Sequence, residues 1–258
     1  MPRTDEIASV LLDAYTTRVP VEPLGDLTID EAYAVQLSQV ERWTGSGRRV
    51  LGHKVGLTSA AMRRQLGVAQ PDFGHLLDDM FFAENSPIPT TRFLQARAEP
   101  EIAFVLGTDL TGPGVTVADA LTAVAFALPA LEIIDSRIAD WRIGIADTIA
   151  DNASSGGVVL GSRAVPLDRL DLRAGGCTLH RNAQLAGTGA AGAVLGSPVN
   201  SLVWLANTLG ERGVKLQAGH VVLTGSCLAA VPFEPGDVVT ATFAGLGTVT
   251  AHLNEETS

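Results

Sequence analysis

Two cysteines, Cys177 and Cys227, in 258 residues are too few for a disulfide framework, so the fold has to rest on its core. Basic residues are also scarce: 18 Lys and Arg against 28 Asp and Glu leave a formal charge of −10. That balance argues against general affinity for nucleic acid or anionic membranes. An anionic small substrate is still compatible with it, provided a local cation overcomes the background. No uncharged apolar run approaches the roughly 18 to 20 residues of a membrane helix, so no span is expected. No basic segment followed by an apolar stretch opens the chain at Met1-Pro-Arg-Thr-Asp, which makes the cytoplasm the expected compartment.

Several catalytic signatures are missing as well. The five histidines are scattered without zinc-site spacing, and there is no Cys-x-x-Cys. Gly225-Ser226-Cys227 lacks the Gly-x-Ser-x-Gly elbow of serine hydrolases, leaving Cys227 most simply a small buried hydrophobe. Gly187-Thr-Gly-Ala-Ala-Gly192 lacks the phosphate-cradle pattern, and hairpin turns suffice to explain its glycines. There is no internal repeat or low-complexity segment, and only the last five or so residues have the composition of a disordered tail.

The chain does have 46% hydrophobic residues and 27 glycines, the make-up of a globular enzyme-sized protein with a large core. Residues 4–17 carry Ile7, Leu11, Leu12 and Tyr15 at helical spacing, and Thr28-Ile-Asp-Glu31 is a capping box opening a second helix toward Trp43. Residues 1–47 therefore read as a helical N-terminal segment, with one structural unit over residues 48–253. Val50-Leu-Gly-His-Lys-Val-Gly56 reads as a strand and residues 59–66 as a loop and short helix. The turn-rich Gly67-Val-Ala-Gln-Pro-Asp-Phe-Gly74 places Asp72 on a loop. Further on, the pattern predicts a helix over 117–127 with Thr116 as N-cap, a strand over 128–134, a helical turn over 147–153 and strands at 158–161 and 177–181. A helix over 198–213 follows, capped by Ser197 with Pro198 in its first turn, then strands near Val221, Val238 and Val249. Many short strands without βαβ alternation make this an α+β protein with a curled sheet.

The strongest chemical signal is three carboxylates in apolar settings. Glu99 and Glu101 open the run Arg97-Ala-Glu-Pro-Glu-Ile-Ala-Phe-Val-Leu, and Glu132 sits inside Pro129-Ala-Leu-Glu-Ile-Ile-Asp135. With period 2, Glu99, Glu101, Ala103 and Val105 share one face and Ala98, Ile102 and Phe104 the other. Successive same-face residues are roughly 6.5 to 7 Å apart, close enough for two flexible side chains to meet one ion. Pro100 lacks a ladder donor, which puts the start of this strand at an edge or a bulge. Carboxylate-only ligation selects a hard cation, Mg²⁺ or Mn²⁺. The alternative is a solvated strand face for Glu99 and Glu101, with Glu132 paired to an arginine. Lys54 is either a catalytic cation or a snorkelling strand-edge lysine, and Asp72 either an acid/base group or a turn former. The cluster Asp147, Asp151, Asn152, Ser154 and Ser155 is either helix capping or a substrate-binding loop.

Taken together, Gly52-His-Lys-Val-Gly-Leu-Thr-Ser59, Pro71-Asp-Phe-Gly74, Glu99-Pro-Glu101, Pro129-Ala-Leu-Glu-Ile-Ile-Asp135 and Asp147-Thr-Ile-Ala-Asp-Asn-Ala-Ser154 resemble the 2-keto-4-pentenoate hydratase / 4-oxalocrotonate decarboxylase family. This is a branch of the fumarylacetoacetase-like superfamily. The resemblance continues through Gly187-Thr-Gly-Ala-Ala-Gly-Ala-Val-Leu-Gly196 and Trp204-Leu-Ala-Asn-Thr-Leu209 to Gly236-Asp237. It implies a fumarylacetoacetase C-terminal-type curled mixed sheet or barrel with a helical N-terminal extension. It also implies Mg²⁺ or Mn²⁺ on Glu99, Glu101 and Glu132, Lys54 and Asp72 in catalysis, and Ser59, Asn152, Ser154 and Ser226 as candidate substrate-binding groups.

The implied activity is hydration of a 2-hydroxy-2,4-dienoate to a 4-hydroxy-2-oxo acid in aromatic or steroid breakdown. Decarboxylation of a 2-oxo-3-enedioate is the alternative. The latter needs a cation at the distal end of the pocket, with Arg63, Arg64, Arg137 and Arg142 as candidates. An alternative of another class is a catalytically silent metal-binding assembly protein. The resemblance further implies a homo-oligomer, a pentamer or decamer, without nucleic-acid or membrane partners. One departure is His53, where relatives usually carry tyrosine or another aromatic; it bears on pocket shape, not on the chemistry.

Overall fold

The computed structural model describes residues 2–255, so the last three residues of the polar tail lie outside the described residues. The chain opens with α1 (Pro2–Thr17) and α2 (Ile29–Gly45), then β1 (Val50–Gly56), α3 (Ala60–Leu66), β2 (Asp72–Leu77) and the short strands β3 (Phe81–Phe82) and β4 (Pro87–Ile88). Next come β5 (Arg97–Leu106), α4 (Val117–Ala123), β6 (Val124–Ile134), α5 (Ile145–Ala150) and β7 (Ser155–Leu160). The hairpin β8 (Gly176–Arg181) and β9 (Gln184–Ala190), the helix α6 (Pro198–Gly210), and β10 (Val221–Ser226), β11 (Val231–Pro232), β12 (Val238–Phe243) and β13 (Gly247–Leu253) complete it. The α+β class and the curled mixed sheet are as the sequence implies.

The larger sheet runs β2-β1-β10-β5-β6-β7-β3, with β11 also paired to β5, and the smaller runs β4-β13-β12-β8-β9. The larger one curls until β2 meets β7. The residues lining the inside of the curl explain how it closes so tightly. Leu76, Ala103, Ala130, Val158 and Leu223 are fully buried there as a cluster separate from the main core, and two of the five are alanines. The outward face carries Val55, Phe73, Ile102, Phe104, Leu131 and Val222 into the main core, against α6 and the smaller sheet. The Thr28 capping box forms as expected. α2 then sets Val40 and Trp43 against Leu77 and Met80 in a third cluster.

Four local expectations need correction. Asp72 is the first residue of a buried strand, because residues 72–77 pair antiparallel with β1 and both of their faces are covered. The helix from Val117 ends at Ala123; residues 124–127 extend β6, where Phe126 pairs with Val105 and the Ala127 N–H donates to the Val165 carbonyl. Here long-range ladder bonds override an alanine-rich helical pattern. Residues 184–190 form the strand β9 and not a set of turns. Ser197 stands at the N-cap of α6 without a side-chain cap bond, and that helix stops at Gly210, three residues short of the left-handed Gly213. For Pro100 the bulge alternative holds: β5 is an interior strand, and the irregularity lies on the β10 side, where the register shifts between Leu223 and Ser226.

Candidate active site

Three ladders bring the charged residues to one end of the inner face. Glu99 pairs with Glu132 and Glu101 with Ala130 across β5 and β6, while Lys54 pairs with Leu223 of β10 and with Gly74 of β2. Each of Glu99, Glu101 and Glu132 offers a carboxylate oxygen, and these oxygens lie within 4.8 Å of one another. Glu101 and Glu132 are buried and Glu99 is half-buried, which is not a solvated strand face.

Glu101 Oε2 accepts the Gly225 N–H at 2.7 Å. Both oxygens of Glu132 lack a hydrogen-bond partner although they are buried. Lys54 Nζ is 3.3 Å from Glu132 Oε1, an ion pair by distance, so the cation facing Glu132 is this lysine and not an arginine. Lys54 itself is interior in the sheet, 4% exposed, which removes the strand-edge alternative. Its ammonium donates to the Ala153 carbonyl at 2.8 Å.

Asp72 completes the cluster. Its Oδ2 accepts from Thr148 Oγ1 at 3.4 Å, and its Oδ1 is buried without a partner. A Cβ on Gly56 would collide with that Oδ1 and stand 3.5 Å from Lys54 Nζ, so glycine at this position is what lets the carboxylate and the ammonium approach. Gly56 is two residues beyond Lys54 on the same face, a period-2 signal present in the sequence. Thr148 lies inside Asp147-Thr-Ile-Ala-Asp-Asn-Ala-Ser154, where nothing in its local pattern marks it.

Burial sets the proton affinities. It raises Glu99 to about 7, with the Glu132 charge adding to the effect, and it holds Glu101 well above and Glu132 above the ordinary carboxylate range. Burial also raises Asp72, against the pull of Lys54. Burial works to neutralise Lys54 too, but Glu132, Asp72, Glu99 and Glu101 together outweigh it and keep the ammonium protonated above the usual lysine range. An all-oxygen donor set with two orphaned, buried carboxylate oxygens fits a hard divalent cation, which would satisfy both the lone pairs and the excess charge.

The other candidate groups have their side chains engaged within the protein. Ser59 accepts the Ala61 N–H as N-cap of α3. Ser226 Oγ donates toward the Leu228 carbonyl at 2.7 Å and the Pro100 carbonyl at 3.2 Å. Ser154 Oγ is 3.3 Å from Thr148 Oγ1, and Asn152 bonds the backbone of His75 at both ends of its amide. His53 points to the outward face, where its ring is 4.9 Å from His75 and 5.9 Å from His220, so it shapes a layer behind the sheet and not the pocket. A narrow crevice between the sheets, without room for a water molecule, is lined by Ile102, Thr224, Gly225, Cys227 and Phe243 among others. None of the charged groups borders it.

An inward-curled mixed sheet that gathers three carboxylates, a lysine and an aspartate at one end is the architecture of a fumarylacetoacetase-type enzyme. Residues 52–254 match the family described as fumarylacetoacetate (FAA) hydrolase C-terminal, and the chain belongs to this family. Among its relatives, a 2-keto-4-pentenoate hydratase of Paraburkholderia xenovorans (strain LB400) is 45% identical over 249 residues, covering 95% of this chain and 93% of the relative. A 2-hydroxypent-2,4-dienoate hydratase of Pseudomonas putida is 47% identical over 215 residues, covering 81% and 97%. The solved structure of 4-oxalocrotonate decarboxylase from Pseudomonas putida G7, complexed with magnesium and adipate, matches with a TM-score of 0.94 at 33% identity, covering 98% and 97%.

Proposed function

We propose that this protein is a metal-dependent hydratase that adds water to a 2-hydroxy-2,4-dienoate of the pentadienoate or hexadienoate type, giving a 4-hydroxy-2-oxo acid. The observation carrying it is the convergence of Lys54 and Asp72 on the Glu99, Glu101 and Glu132 carboxylates in a chain 45% identical to a hydratase. Those three glutamates would hold Mg²⁺ or Mn²⁺, which supplies Lewis-acid stabilisation to the 2-oxo acid end of the substrate when bound. Lys54, kept protonated, offsets negative charge developing on the C2 oxygen as the dienol is converted to its ketone. Asp72, whose proton affinity burial raises, takes up the proton that leaves the C2 hydroxyl and delivers it to C5. It then accepts one from the water that attacks C4 and returns it to C3.

The distal end of the substrate distinguishes this reaction from the alternative. Arg137 is buried against Asp135 and Asp151, Arg142 pairs with Glu22, and Arg63 holds the Leu57 and Thr58 carbonyls. With three of the four candidate arginines engaged in this way and Arg64 exposed on α3, a substrate with a single carboxylate is favoured. The decarboxylase alternative retains support from the 0.94 TM-score. The free thiols of Cys177 and Cys227 fit a reducing compartment such as the cytoplasm. Self-association belongs to the same proposal, with the exposed Val117 and Leu121, one turn apart on α4, as apolar surface for a second copy.

The test supplies purified protein and Mg²⁺ with 2-hydroxypenta-2,4-dienoate and, separately, with 4-oxalocrotonate, while following the conjugated chromophore and CO₂. Loss of the dienoate chromophore without CO₂ is expected, with Glu101→Gln and Lys54→Ala each lowering kcat at least about 100-fold in folded protein. CO₂ release from 4-oxalocrotonate at the higher kcat/KM would instead establish the decarboxylase.

A further inference from the structure

Asn152, Ala153 and Ser154 all have left-handed backbone, with φ of 51°, 51° and 52°. None is glycine, and L-residues adopt this conformation singly and seldom in succession. Such a run persists only where the surroundings over-determine it. Here they do. The Asn152 side chain accepts the His75 N–H at 2.8 Å and donates to the His75 carbonyl at 2.9 Å, pairing with the edge of β2 as a strand would. Gly74 has no Cβ where the Asn152 carbonyl passes; one there would collide with it. The Ser154 carbonyl accepts the Asp135 N–H at 2.9 Å.

The turn in turn reaches both candidate catalytic residues. Its central carbonyl, that of Ala153, accepts from Lys54 Nζ at 2.8 Å. The Ser154 hydroxyl meets Thr148, which meets Asp72. Asn152 itself is 0% exposed, and each end of its amide already bonds β2, which sets it behind the turn and out of a substrate's reach.

We propose that Asn152 is a positioning residue whose clamp on β2 holds a strained left-handed turn so that the Ala153 carbonyl aims the Lys54 ammonium at Glu132. This rests on the proposed function, in which Lys54 acts on the substrate. It replaces the substrate-binding role that the sequence resemblance suggested for Asn152.

The test uses two readouts. Lys54 and Lys215 are the only lysines in the chain, and the Lys215 side chain is 52% exposed, so in ¹⁵N-lysine-labelled protein the slowly exchanging ammonium signal belongs to Lys54. Asn152→Ala is expected to speed that exchange and to lower kcat by about 10- to 100-fold, with KM held within about threefold. Asn152→Gly covers the case in which the alanine variant fails to fold: glycine takes the left-handed conformation without strain, so the chain folds, but with the clamp lost nothing fixes the turn against β2. The same signature is expected. Unchanged Lys54 exchange in folded Asn152→Gly protein, or a raised KM at unchanged kcat, overturns the proposal. Faster exchange with unchanged turnover upholds the positioning of Lys54 and counts against the role of Lys54 in the reaction.

Discussion

At the scale of single residues the site is a problem of charge. Three glutamates and an aspartate surround one lysine, and the orphaned oxygens of Glu132 show that the lysine alone does not satisfy them. The excess negative charge appears as raised proton affinity, with Glu99 pushed up to about 7. Protons and a divalent cation compete for the same oxygens, so cation affinity is lowest where Glu99 is protonated. Mg²⁺ affinity should therefore rise at least about tenfold per pH unit on approach to pH 7 from below. Calorimetric titration at several pH values checks this; a flat profile would mean that Glu99 is not a ligand. Much of this site was legible in the sequence, because Glu99, Glu101 and Glu132 stand out as carboxylates in apolar runs. The Asp72 strand was not legible, since Pro71 and the neighbouring glycines mimic a turn and only pairing with β1 decides otherwise.

At the scale of elements, the segment between β6 and β7 holds the back of the site through a second charged cluster. Arg137 is fully buried, its Nε 2.6 Å from Asp151 and its Nη1 3.4 Å from Asp135, with its guanidinium 4.3 Å from the Tyr15 ring centre. The cluster ties α1 to the turn that carries Ala153. Removing one partner leaves a buried charge uncompensated. Asp151→Ala is accordingly expected to destabilise the fold by about 3 to 5 kcal/mol in urea unfolding, and Asp151→Ala with Arg137→Met by clearly less. Equal losses in the two variants would contradict this account of the pair. The roles of Asp151 and Arg137 were hidden in the sequence because their pairing depends on how the chain between β6 and β7 folds back. The helix caps at Thr28 and Thr116, whose bonds are local, were legible and are observed.

At the scale of the whole molecule, the curl separates two environments. The inner face is charged at one end and filled with small residues beyond it. The outward face is packed so fully that His53 and His75 are buried among apolar groups. Burial lowers His53 well below its ordinary value and His75 from 6.5 to about 4. For a base with a depressed folded pKa, the unfolded chain binds more protons between the two values. Stability is therefore full above about 6.5 and lost as the pH falls toward 4, by about 3 kcal/mol for His75 alone. His75→Phe should flatten the acid limb of thermal melting between those pH values; an unchanged limb would assign the acid sensitivity to other groups.

In the proposed reaction the charged end of the curl directs water to C4 of a 2-hydroxydienoate. Turnover of 2-hydroxypenta-2,4-dienoate with Mg²⁺ in H₂¹⁸O tests it most directly, with the product read by mass spectrometry and NMR. The expected result is a 4-hydroxy-2-oxo acid carrying ¹⁸O at C4, formed without CO₂ and lost on chelation of the metal. A product without label at C4, or the same rate after chelation, would contradict it.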